Sequence, residues 1–88
     1  MKIVSKPVEM IALFGKDGKA VPLRFRIIEE EGGEPQTICV AKVICETSTK
    51  MGGMESLVFQ CQSEIAGEEK RYEIKYRIGD HRWELYKA

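Results

Sequence analysis

The side chains in this sequence that could do chemistry are three cysteines and one histidine. Nucleophilic catalysis needs a thiol or hydroxyl held beside a base. Cys61 lies on the apolar side of an alternating pattern, where burial would make it an unreactive small hydrophobe. His81 lies in or beside the last turn signal and is interpreted as a solvated loop residue. We therefore predict no catalytic residue and no enzyme activity.

The spacing of the cysteines bears on a metal site. Cys39 and Cys45 are six positions apart, which is about 20 Å in an extended strand, whereas a zinc–thiolate bond measures about 2.3 Å. The two thiols cannot share a zinc ion unless the strand is broken. A chain of 88 residues also leaves little interior volume for a cofactor. We predict no metal and no small-molecule cofactor.

The composition of the chain bears on which partners it binds and on the compartment in which it resides. Fourteen Lys and Arg balance 14 Asp and Glu, so bulk charge does not draw the chain to nucleic acid or to an anionic membrane. The longest uncharged apolar stretch, residues 10–14, is far shorter than the roughly 20 residues of a membrane helix. No signal-peptide core is present, and the odd number of cysteines includes no CxxC pair. We predict one cytoplasmic domain, residues 1–88, with no membrane contact.

Five turn signals separate runs rich in Val, Ile, Phe, Tyr and Thr. This spacing predicts an all-β fold, a six-stranded antiparallel meander. A flat sheet of this length would leave one apolar face in water, so we expect a strongly curved sheet or a small, partly open barrel. The turn signals are Lys16-Asp17-Gly18, Glu31-Gly32-Gly33-Glu34-Pro35, Met51-Gly52-Gly53, Ala66-Gly67-Glu68 and Gly79-Asp80.

The first hairpin is predicted from Asp17-Gly18, a strong type I′ turn signal. Centring the hairpin there puts apolar residues opposite one another on one face. On the other face Glu9 lies opposite Arg26 as an ion pair. The apolar pairs are Phe14 with Val21, Ala12 with Leu23, Met10 with Phe25 and Val8 with Ile27.

Two later hairpins follow the same rule. In the last one, a four-residue loop through Arg82 sets Arg77 opposite Glu84; it is favoured over a two-residue turn that would set Arg77 opposite Arg82. Either register leaves Trp83 on the core face with Tyr72. For the hairpin before it, a turn at Gly67-Glu68 predicts these core pairs: Ser63 with Tyr72, Cys61 with Ile74, Phe59 with Tyr76 and Leu57 with Ile78.

The third strand is irregular, because Ile38 and Val40 share one parity while Val43 and Cys45 share the other. A bulge near Ala41-Lys42 would reconcile them. The alternative is a short helix over residues 41–49, which the β-branched residues in that range disfavour.

Two groups of residues on the outer sheet face are candidate binding surfaces. Apolar residues on a face expected to be wet indicate self-association, a protein partner or a second covering layer. Basic residues with an aromatic indicate a single-strand nucleic-acid groove, although nearby glutamates such as Glu9 and Glu84 would neutralise much of its field. The candidate partner patch is Ile11, Leu13, Ile28, Ile44 and Val58, and the candidate nucleic-acid patch is Arg24, Arg26, Lys75, Arg77 and Tyr86.

Several motifs spread along the chain carry a family resemblance: the Asp17-Gly18 turn followed by Pro22 and Phe25, then Val40 and Val43, Tyr72-Glu73-Ile74, and Trp83-x-Leu85. With them the chain resembles a family of small uncharacterised bacterial β-domain proteins often encoded beside Y-family lesion-bypass DNA polymerases. The resemblance implies a compact β domain without assigned catalytic residues and an accessory role in DNA repair. This chain departs from the family pattern in mid-chain, where Cys45 and Glu46 replace tryptophans, and in its less basic surface.

Together these features predict a small non-enzymatic binding or assembly module that acts through its outer sheet face. We expect it to form a homo-oligomer or to bind a protein partner. The alternative function is a DNA-repair accessory that binds single-stranded nucleic acid, which the interspersed glutamates make the less favoured reading.

Overall fold

The computed structural model describes residues 1–28 and 32–88, and within them the chain forms β-strands and no helix. The all-β prediction is confirmed, and no helix able to cross a membrane is found in the part of the chain described. Glu31, the first residue of the predicted turn signal at residues 31–35, lies outside the described residues, as do Glu29 and Glu30. The strands are β1 (Ile3–Phe14), β2 (Ala20–Ile27), β3 (Gln36–Cys39), β4 (Lys42–Met51), β5 (Met54–Ile65), β6 (Glu68–Arg77) and β7 (Arg82–Lys87).

The strands form one antiparallel sheet in the order β3-β2-β1-β7-β6-β5-β4. The sheet curls strongly into a half-barrel, as expected, with the core on its concave inner face. Strand β1 belongs to both halves, because residues 9–14 pair with β2 and residues 3–8 pair with β7. The largest fully buried side chains are Phe25, Phe59, Ile74, Pro22 and Cys61.

The expected count of six strands is wrong, because the third strand is divided into β3 and β4 at opposite edges of the sheet. The backbone N–H of Val40 donates to the Leu23 carbonyl on β2, whereas that of Ala41 donates to the Gln62 carbonyl on β5. The change of parity that predicted a bulge near Ala41-Lys42 is this strand break. The helix alternative is also wrong, since residues 42–51 pair with β5 along their length.

The first hairpin confirms part of its predicted register. Met10 lies opposite Phe25 and Glu9 lies opposite Arg26, as expected. Near the turn, however, Phe14 lies opposite Ala20 instead of Val21, because a five-residue loop, 15–19, replaces the expected two-residue turn. The loop is closed by the Gly15 N–H, which donates to the Lys19 carbonyl at 2.9 Å.

A bulge in β2 reconciles the two ends of this hairpin. Ile11 lies opposite Arg24 and the next residue, Ala12, lies opposite Pro22, so Leu23 is the extra residue. Ala12 therefore does not pair with Leu23 as predicted. Beyond an extra residue in a strand, side chains that would have faced inward face outward, and those that would have faced outward face inward. As a result Pro22 is buried, whereas Leu23 is 45% exposed.

The β5–β6 hairpin turns one residue earlier than predicted, at Ala66-Gly67. Both residues have positive φ, 53° and 79°, as a type I′ turn requires. Every cross-strand partner therefore shifts by two, and Cys61 lies opposite Tyr72 instead of Ile74. Because side chains alternate with a period of two, a shift of two leaves the predicted core face intact.

In the last hairpin the favoured pairing of Arg77 with Glu84 is wrong, and Arg77 lies opposite Arg82. The two like charges are tolerated because Asp80 forms an ion pair with Arg77, with 2.9 Å between Nη2 and Oδ2. The Trp83 ring stacks on Tyr76 with centroids 4.5 Å apart. Trp83 packs against the core cluster that contains Tyr72, which confirms their predicted common face.

Candidate interaction surface

The residues of the candidate partner patch do not form one continuous surface. Ile11 and Leu13, which alternate with inward-facing residues of β1, are 51% and 58% exposed. Ile28 lies just beyond β2, and Ile44 is the extra residue at a register shift in β4. Val58 does not contribute to an exposed patch: it is only 7% exposed on β5, between Thr47 of β4 and Lys75 of β6.

The β1–β2 hairpin carries a different apolar group, which we name the β1–β2 apolar surface: Ile11, Leu13, Val21 and Leu23. Leu13 and Val21 are direct cross-strand partners. Val21 and Leu23 alternate along β2 with the buried Ala20 and Pro22, so both face outward. All four side chains are between 42% and 58% exposed. Exposed apolar side chains are thus adjacent on two paired strands.

A depression of about 380 Å³ adjoins this surface on the outer side of β1, β2 and β3. Ile11 lines it together with Arg24, and Glu9 and Arg26 lie opposite each other within it. The Arg26 guanidinium donates to the Glu9 carboxylate and forms an ion pair with it. Arg24 is exposed and has no ion-pair partner among residues 1–28 and 32–88. Its charge is therefore available to a ligand.

The candidate nucleic-acid patch is divided between two parts of the sheet. Arg24 and Arg26 lie on β2, whereas Lys75 and Arg77 lie on β6, and strands β1 and β7 separate the two pairs. Arg26 is paired with Glu9, and Arg77 is paired with Asp80. Two of these four cations therefore already have an acidic partner within the chain.

The aromatic member of that patch, Tyr86 on β7, is contacted by lysines. The Lys75 Nζ lies 4.6 Å and the Lys87 Nζ 5.4 Å from the centroid of its ring. These cation–π contacts place positive charge over the ring. A base stacking on Tyr86 would have to displace or share these contacts.

The side chains considered for catalysis have the following environments. Cys61 is fully buried, as predicted, and burial raises the pKa of its thiol to about 12. A thiol with a raised pKa is a poor nucleophile because its thiolate is scarce. Burial also raises the pKa of Tyr72 to about 12, against the lowering effect of its hydrogen bond with Ser63. His81 is an exposed loop residue, as expected, with Nδ1 3.2 Å from the Tyr76 hydroxyl.

Sequence reasoning missed Val21 and Leu23, which the predicted register had placed in the core. The signal that could have found them is Pro22, since proline inside a strand indicates an edge or a bulge. A bulge near Pro22 would turn its neighbours outward while keeping Phe25 in the core, where the structure has it.

The described part of the chain holds no group of three or more His, Cys, Asp or Glu side chains placed to bind a metal ion. Its exposed thiols, Cys39 and Cys45, lie on different strands, β3 and β4. No family model, curated protein or solved structure matches the chain.

Proposed function

We propose that this protein is a small non-enzymatic module that binds another protein through the β1–β2 apolar surface. The observation that carries the proposal is the exposure of four adjacent apolar side chains, from 42% for Val21 to 58% for Leu13. Apolar residues that are exposed singly are ordinary, but a contiguous group with a polar rim is typical of an interaction site. Burying this group against a partner would remove its apolar surface from water, and this burial favours binding.

The polar rim indicates the chemistry of the partner. Arg24 adjoins Ile11 in the neighbouring depression, and no carboxylate in the described part of the chain forms an ion pair with it, so it can pair with a carboxylate of a partner. The Glu9 and Arg26 pair at the same depression is already satisfied. We therefore propose an apolar partner segment with an acidic residue at the end that meets Arg24. We place the module in the cytoplasm, which the free, exposed thiols of Cys39 and Cys45 support.

The test is site-specific photocrosslinking followed by binding measurements. A photoreactive amino acid in place of Leu13 should crosslink a protein in cells. One in place of the exposed Glu64, next to the turn of the β5–β6 hairpin, should not. The crosslinked protein is then purified and titrated with the parent and with the Leu13→Ser/Val21→Ser variant. We expect affinity to fall by about tenfold or more in the variant. Equal crosslinking at both positions, or unchanged affinity, would contradict the proposal.

Single-strand nucleic-acid binding is the alternative function. It has less support than protein binding, because Arg26 is already paired with Glu9 and Arg77 with Asp80. It is tested by titrating the protein with a fluorescent single-stranded oligonucleotide at low salt. Saturable binding that is lost when Arg24 and Arg77 are both changed to Glu would favour this alternative over the protein-binding module.

A further inference from the structure

Strand β4 is a long, exposed edge of the sheet. It pairs with β5 over Lys42–Met51, and β5 is the only described strand that contacts it. The side chains from Ile44 to Ser48 are all exposed. An edge strand presents N–H and C=O groups to which another strand can hydrogen-bond.

The hairpin turn determines which backbone groups of β4 are free. Gly52 and Gly53 both have positive φ, 58° and 81°, and Met51 lies opposite Met54. In such a two-residue type I′ hairpin the flanking residues form a hydrogen-bonded pair, and hydrogen-bonded and non-hydrogen-bonded pairs then alternate. Residues 45, 47, 49 and 51 therefore direct their backbone groups to β5. Glu46, Ser48 and Lys50 direct theirs to the open edge.

These three residues are self-complementary. If a second copy pairs antiparallel with the open edge and the two-fold axis passes at Ser48, each Glu46 lies opposite the Lys50 of the other copy. Both charges are exposed, and neither has an ion-pair partner elsewhere in residues 1–28 and 32–88. The same register sets Thr47 opposite Thr49 on the other face, and threonine pairs are favourable across strands.

Other symmetric registers that use the same backbone groups are less favourable. Moving the axis by two residues sets Glu46 opposite Glu46, or Lys50 opposite Lys50, and like charges in direct opposition destabilise a strand pair. Moving it by one residue leaves a charge opposite Ser48. The register centred on Ser48 is therefore the one in which every charge on this edge segment meets its opposite.

We propose that two copies of this protein dimerise through antiparallel pairing of residues 45–51 of β4. The pairing adds about six backbone hydrogen bonds and two reciprocal Glu46–Lys50 ion pairs. It ends at the register shift between Val43 and Cys45, which interrupts the regular edge. The β1–β2 apolar surface lies on other strands, so the dimer leaves it open and does not depend on the proposed partner.

Charge reversal tests the register. Sedimentation equilibrium of the parent should show a concentration-dependent dimer. Glu46→Lys should weaken dimerisation by about tenfold or more, because lysines then face lysines. The double variant Glu46→Lys/Lys50→Glu should restore it, since each charge again meets its opposite. A dimer unaffected by the single reversal, a double variant that stays monomeric, or a parent that is monomeric at all concentrations would overturn the proposal.

A disulfide provides a second readout. In this register Cys45 lies opposite residue 51 of the other copy in a non-hydrogen-bonded pair, with Cα atoms about 4.5 Å apart, within the range that a disulfide spans. Met51→Cys should therefore give a covalent dimer on mild oxidation, and Cys45→Ser/Met51→Cys should not. Equal crosslinking of the two variants would contradict the register. The Leu13→Ser/Val21→Ser variant should still dimerise; loss of its dimer would place the interface on the apolar surface instead.

Discussion

The β1–β2 and β5–β6 hairpins differ in what a wrongly predicted turn does to the core. In neither hairpin is the turn the one predicted, but β5–β6 keeps a regular register over ten pairs and buries the predicted face. In β1–β2 the five-residue loop is compensated by a bulge at Leu23, and the two predicted core positions of β2 nearest the loop, Val21 and Leu23, turn outward. A register error of two residues is thus harmless to the core, whereas a single extra residue converts core positions into a surface.

The largest expected effect is on the free energy of unfolding when a buried side chain of β6 is truncated, in comparison with an exposed one of β1. Ile74 of β6 is fully buried, and Ile74→Ala should lower the free energy of unfolding by about 2–5 kcal/mol. Leu13 of β1 is 58% exposed, so Leu13→Ala should change it by no more than about 0.5 kcal/mol. Urea unfolding followed by tryptophan fluorescence measures both. Similar losses in the two variants would break the comparison.

The second test concerns the bridge between the two parts of the half-barrel. Ser63 of β5 donates to the Cys39 carbonyl of β3 at 2.7 Å, and the Tyr72 hydroxyl lies 2.5 Å from the same Ser63 oxygen. Ser63→Ala leaves both groups without this partner and should cost about 1–3 kcal/mol. Gln60→Ala, at an exposed position of the same strand and outside the proposed dimer interface, serves as the control, with an effect near zero. A neutral Ser63→Ala would show that water replaces the bridge.

The third test uses pH to probe the buried face of β5–β6. Cys61 and Tyr72 hold their protons to about pH 12 in the folded chain but release them at ordinary values when unfolded. Their contribution to stability is therefore complete below about pH 9 and is lost as pH rises through about 12, by at most about 1.4 kcal/mol per pH unit for each group. Cys61→Ala should flatten the stability profile between about pH 9 and 10. An unchanged profile would contradict the assignment to Cys61.

The smallest effect concerns the turn itself. Ala66 has φ 53°, a left-handed conformation that costs free energy for a residue with a Cβ, and asparagine tolerates it better. Ala66→Asn creates an Asn-Gly type I′ turn and should stabilise the protein by about 0.5–1 kcal/mol, measured by thermal and urea unfolding. A destabilised variant would show that Ala66 is held by contacts other than the turn geometry.

Much of the fold could be predicted because side-chain alternation depends only on the parity of each residue. The faces of Tyr72, Ile74 and Trp83 were therefore correct even where the register was not. At Val40-Ala41 the change of parity located an irregularity but could not distinguish a bulge from a strand break. The bulge at Leu23 leaves no change of parity in the apolar pattern of β2, so alternation could not predict it. The apolar surface arises at such a point, which is why the sequence indicated Ile11 and Leu13 but missed Val21 and Leu23.

The division of β1 between two neighbours has a consequence for how the chain folds. Residues 9–14 find their partner β2 immediately along the chain, but residues 3–8 pair with β7, the last strand. Closing so long a loop is entropically costly and slow relative to forming a local hairpin. On the ribosome the first hairpin can therefore form early, while the beginning of the same strand must wait until the end of the domain has emerged before the sheet is complete.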